Sequence, residues 1–226
     1  MVTTKQIQHA KTIFQATLDN FRDATKRHPS DKDALIDAVC NEWQGIIDDG
    51  KVIKKLSEIE DFEALLGYQR EFKSKSLTAE QVIAIDKQRA AEIDLAVHIQ
   101  RNHPGAPIAK LVESGKHKMP DFAAGAGKDS LYEAKYVEKY SKSAVEAIIK
   151  KGLDQIKEYV EDKGFSNAWG KVHIFTFDGM NGLNTMDVQR HIEQMVRKYK
   201  SVYQFPFEIS LQVYGRAYYD FSTYSC

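Results

Sequence analysis

Asp121, Glu133 and Lys135 are the residues whose types and spacing suggest chemistry. Asp121 stands in Met119-Pro120-Asp121-Phe122-Ala123-Ala124, and the other two in Leu131-Tyr132-Glu133-Ala134-Lys135-Tyr136-Val137. Carboxylate oxygens are the ligands Mg²⁺ prefers, and an ammonium beside them can position or stabilise an anion. Side chains alternate across an extended segment, so Glu133 and Lys135 point the same way. Between the two runs, Gly125-Ala126-Gly127-Lys128-Asp129 reads as a hairpin turn, because glycine accepts positive φ. A hairpin would lay Asp121 beside Glu133. Two carboxylates and an ammonium would then converge on one spot and could hold a divalent cation.

The elements that must position this cluster follow from periodicity. Thr78 opens a helix, with Gln81 in capping-box position and Val82, Ile85, Ala90, Ile93, Val97 and Ile99 along it. His103-Pro104-Gly105 stops it near residue 102. Residues 107–112 read as a strand, and 119–124 and 131–137 as the hairpin strands. Ser141 caps a helix through residue 161, which Gly152 weakens by about 1 kcal/mol relative to alanine. Residues 170–177 form a strand, 185–199 a helix and 205–214 a last strand. The aromatic tail at 216–224 is expected to pack as a short extra strand rather than to stack on bases. Before residue 78, the stripes Ile7, Ala10, Ile13, Phe14, Leu18, Phe21 and Ala34, Leu35, Ala38, Val39, Trp43, Ile46, Ile47 predict helices. Lys73-Ser74-Lys75-Ser76 reads as a linker. The expected organisation is an all-α domain over 1–77 and an α/β domain over 78–226.

The motif Pro120-Asp121, then Glu133-Ala134-Lys135, within the order αβββαβαβ, resembles the PD-(D/E)XK nuclease superfamily over about residues 79–214. Gln155 and Tyr159, one turn apart on the following helix, are similar to the Gln-x-x-x-Tyr motif of its RecB-like branch. The resemblance implies a restriction-endonuclease-like core, a mixed central sheet flanked by helices. It implies hydrolysis of nucleic-acid phosphodiesters with Mg²⁺ or Mn²⁺. Asp121, Glu133 and Glu92 would hold the metal, with the Ala134 carbonyl as a further ligand. Asp94 is the second choice on Glu92's helix. Lys135 would orient the attacking water or stabilise the phosphate. Gln155, Tyr159, Lys142 and Lys128 are the candidates for nucleic-acid contact; each of the cations near the hairpin, Lys110, His117, Lys118, Lys128 and Lys142, is more readily a solvated charge than a specific contact. A helical domain followed by such a core also looks like the toxin modules of bacterial contact-dependent systems. Those act on tRNA or DNA in the cytoplasm of a neighbouring cell and are held off by an immunity protein. A restriction, repair or phage nuclease, or a non-catalytic binding module on the same core, would carry the same pattern.

Composition narrows the field. The 226 residues carry 32 basic and 32 acidic side chains, a balance that argues against indiscriminate coating of nucleic acid. No apolar run approaches the roughly 20 residues needed to span a membrane. The first residues lack the apolar core of a signal peptide, so a cytoplasmic setting is expected. Cys40 and Cys226, with seven histidines, offer no zinc spacing. Gly125-Ala126-Gly127-Lys128 lacks P-loop spacing and opens a strand, which argues against a nucleotide-binding loop.

Overall fold

The structure, a computed structural model, describes residues 105–111, 119–137, 140–176, 184–213 and 219–225, with seventeen scattered positions between Gln8 and His103. The chain divides into two compact units, Met1–Lys110 and Leu111–Cys226. The expected boundary at 77/78 and most of the expected all-α domain lie outside the described residues, as does Asp94.

In the first unit, the described residues from Gln88 to Gln100 are helical, and Ile108–Lys110 is a short strand, β1. Ala91, Glu92, Leu95, Ala96 and Ile99 are buried, at the three- and four-residue spacing of one helical face.

The second unit is of the α/β class. Its elements are β2 (Phe122–Ala124), β3 (Ser130–Tyr136), α1 (Lys142–Lys163), β4 (Trp169–Thr176), α2 (Thr185–Lys200), β5 (Phe207–Val213) and β6 (Tyr219–Tyr224). The five strands form a mixed sheet in the order β2-β3-β4-β5-β6. β3, β4 and β5 are parallel, and β2 and β6 flank them antiparallel. Parallel neighbours need a crossover, and α1 and α2 supply the two. The expected tail strand is β6, which pairs with β5 from Glu208↔Tyr224 to Val213↔Tyr219.

Register decides which side chains share a face. Leu131, Glu133 and Lys135 stand opposite Gly170, Val172 and Ile174, which stand opposite Phe207, Ile209 and Leu211. This face packs against both helices. Val145, Ile149, Leu153 and Ile156 of α1 and Val188, Ile192, Met195 and Val196 of α2 join it in one apolar core. Each fully buried aliphatic side chain there contributes about 1.5–3 kcal/mol. The other face carries Tyr132, Ala134, Lys171, His173, Phe175, Glu208, Ser210 and Gln212, all buried.

Local chemistry sets the ends. Ser141 Oγ accepts from the Ala144 amide at 3.2 Å, the predicted cap of α1. Gly164 closes the helix in the left-handed region, with φ of 67°. In the hairpin turn Gly125 takes φ of 89° as expected, but the second left-handed residue is Lys128, at 52°, rather than Gly127.

Candidate active site

The cluster forms where β2 begins. Phe122 pairs with Tyr132, so the register continued by two residues would set Pro120 opposite Ala134. Proline has no N–H to give a ladder, which stops β2 at three residues. The chain bends at Asp121, and its carboxylate takes over the ladder's work. Asp121 Oδ2 accepts from the Ala134 amide at 2.8 Å, and the Asp121 amide donates to Glu133 Oε2 at 3.1 Å. N–H and C=O of one strand residue point to the same edge, so the Ala134 carbonyl also faces the Asp121 side of β3.

Glu133 is 2% exposed, and Lys135 donates to its Oε1. A carboxylate taken out of water is tolerated only when paired and hydrogen-bonded. Here one oxygen is held by an ammonium and the other by an amide. Above the pair, α1 comes unusually close. A Cβ on Gly152 would stand 2.9 Å from both Val172 methyls and 3.5 Å from Glu133 Cγ. The glycine costs helix propensity, as the sequence implies. It also lets α1 close over Glu133, a reason that the sequence did not disclose.

The remaining candidates fall in several places. Gln155 is 8% exposed, and its Nε2 donates to the Met119 carbonyl at 3.4 Å, two residues before Asp121. That carbonyl can only accept, so the amide nitrogen must face it. Gln155 Oε1 is then buried without a hydrogen-bond partner. It offers an acceptor, suited to a water, hydroxyl or amino group and unsuited to a phosphate oxygen. Tyr159, one turn on, is buried in the core with its ring 6.1 Å from that of Phe165. Lys142 is exposed in the first turn of α1, beyond the Tyr136 end of β3. Lys128 is in the hairpin turn at the strand's other end, so about 20 Å of β3 separates the two ends. In the first unit, Glu92 is buried and pairs with Lys110 at 3.3 Å. Lys110 is therefore not the solvated charge expected.

Among the described residues, no group of three or more His, Cys, Asp or Glu side chains gathers to hold a metal. The Asp121–Glu133 pair still fits Mg²⁺, which is usually bound through one or two carboxylates and keeps several waters. Comparison of the chain with family models, curated proteins and solved structures finds no match.

Among the described residues, two further polar clusters lie outside this site. Lys171 and Glu208, cross-strand neighbours on the opposite face, pair at 2.9 Å, and His173 Nδ1 meets Ser210 Oγ at 2.8 Å. Between α1 and α2, Tyr140 Oη meets His191 Nδ1 at 2.9 Å. Neither had a signal in the sequence, because each joins residues brought together only by the fold.

Proposed function

We propose that the chain is a metal-dependent phosphodiester hydrolase acting on nucleic acid, with a PD-(D/E)XK-like core. One observation carries this reading: the hairpin joins Asp121 to a buried Glu133 at the point where Pro120 ends the ladder, with Lys135 on the same carboxylate. Asp121 and Glu133 would hold Mg²⁺ or Mn²⁺, with the Ala134 carbonyl on their edge of β3. Bound there, the cation would supply Lewis-acid neutralisation of the scissile phosphate and of the attacking water's developing charge. Lys135 orients the attacking water or stabilises charge on the phosphate. Gln155 Oε1 accepts from a water or from a hydroxyl or amino group of the substrate.

The helix surfaces argue against a basic coating module. Their cations pair with neighbouring carboxylates in Lys150–Asp154, Lys157–Glu161, Arg190–Asp187 and Arg197–Glu193. Such exposed pairs add little stability, but they leave less positive potential for phosphates. A toxin acting on tRNA or DNA, with a cognate inhibitor, is the narrower form of the proposal. No helix among the described residues is long and apolar enough to cross a membrane.

The test is purified protein with plasmid, single-stranded DNA and total tRNA, each with Mg²⁺ and with chelator. Metal-dependent cleavage lost in Glu133→Gln is expected. Failure to cut all three polymers would overturn the enzyme reading. Cleavage of tRNA alone would favour the toxin form over restriction or repair.

A further inference from the structure

We infer that Lys135 is the cation placeholder of the carboxylate pair: its ammonium occupies Glu133 Oε1 when no metal is bound, and a divalent ion must displace it. This rests on reading Asp121 and Glu133 as a metal site. Glu133 is nearly inaccessible, and its carboxylate oxygens are held by Lys135 and by the Asp121 amide. A rigid backbone donor cannot leave without moving the chain. The ammonium can leave, because it ends a flexible four-carbon stem. Lys135 is also the more exposed partner, at 13% against 2% for Glu133.

A dication and an ammonium on one carboxylate oxygen repel each other, and the repulsion is strong where solvent is excluded. Binding of one therefore weakens binding of the other by the same factor. Metal loading and release of Lys135 toward the phosphate become a single event. The lysine sets the metal affinity of the site as well as acting in the reaction, and it keeps a buried carboxylate neutralised in the metal-free chain.

The experiment uses the full chain and MnCl₂ alone, with no nucleic acid, and follows free Mn²⁺ by electron paramagnetic resonance. Lys135→Met is expected to bind Mn²⁺ about tenfold tighter than the unsubstituted chain, within the usual range of such couplings. Glu133→Gln is expected to bind far more weakly than either. A folded Lys135→Met chain with unchanged or weaker affinity would overturn the placeholder role and leave the nuclease reading standing. No Mn²⁺ binding by any of the three would remove both. A second measurement needs no substitution. Amine labelling of the unsubstituted chain, read by peptide mass spectrometry, should rise at Lys135 when Mn²⁺ is added. Labelling at Lys135 that Mn²⁺ leaves unchanged or lowers would count against displacement.

Discussion

Among its described residues, the second unit holds two buried carboxylate–ammonium pairs on opposite faces of its sheet, and they are built differently. Lys171 and Glu208 sit directly across the β4–β5 ladder, and both are close to fully buried. Each charge is fixed by a different strand, so the pair ties two strands together. Glu133 and Lys135 sit two residues apart on β3, and the pair ties no two strands. The bent chain at Asp121 also reaches Glu133, its amide donating to Oε2. The first arrangement suits a fixed structural pair. The second keeps both charges on one strand with the ammonium the more exposed partner, as the proposed exchangeable cation site requires.

The contrast is broken most sharply at Glu133. Glu133→Gln keeps the shape, removes the charge, and should lower cleavage by at least about a hundredfold, the scale of losing one group that stabilises a transition state. Unfolding followed by circular dichroism should move little. A variant that cuts at the normal rate would remove Glu133 from the site. Lys171→Met should do the opposite. It strands Glu208 as a buried charge, at a cost of about 3–5 kcal/mol in denaturant unfolding. Residual folded protein should keep its response to Mn²⁺. Loss of that response without loss of stability would mean that the two faces are not separate.

The sequence made the local parts of this molecule legible. Ser141 as a cap, the stripes of α1 and α2 and the strands from Phe122 to Val213 all follow from period and turn chemistry within short windows. The Asp121–Glu133 approach was legible because one tight turn separates the strands. Lys171–Glu208, 37 positions apart, depends on the register of two strands joined through a whole helix. No local pattern carries that register. Tyr140–His191 depends likewise on how two helices settle on the sheet. Gly152 was visible as a weak helix position, but the close approach that requires it lies in Val172 and Glu133.

Gly152 gives a smaller effect with a definite sign. Alanine there gains about 1 kcal/mol of helix propensity. Its Cβ must also fit 2.9 Å from both Val172 methyls, and overpacking of this kind costs about 1–3 kcal/mol. The net expectation for Gly152→Ala is a loss of up to about 2 kcal/mol. Pairing it with Val172→Ala should recover part of the propensity gain, because the crowding atoms are gone. An equal loss from Gly152→Ala whether or not Val172→Ala is also present would show that α1 does not press on β4 at this point.

The smallest effect tests a buried polar pair that neither face of the sheet owns. His191 lies against Tyr140, with Lys142 and Glu146 on α1 and Asp187 one turn before it on α2. Burial holds its pKa below the usual 6.5, the Lys142 charge lowers it further, and Glu146 offsets part of this. The folded chain therefore resists protonation that the unfolded chain accepts. Stability from this group is complete above pH 6.5 and falls as the pH drops through that value toward the lower folded pKa. His191→Gln keeps a hydrogen-bonding side chain and cannot titrate. Its unfolding midpoint should vary less between about pH 7.5 and 5.5 than that of the unsubstituted chain. An equal slope in the two chains would place the acid sensitivity elsewhere and leave Tyr140–His191 as packing alone.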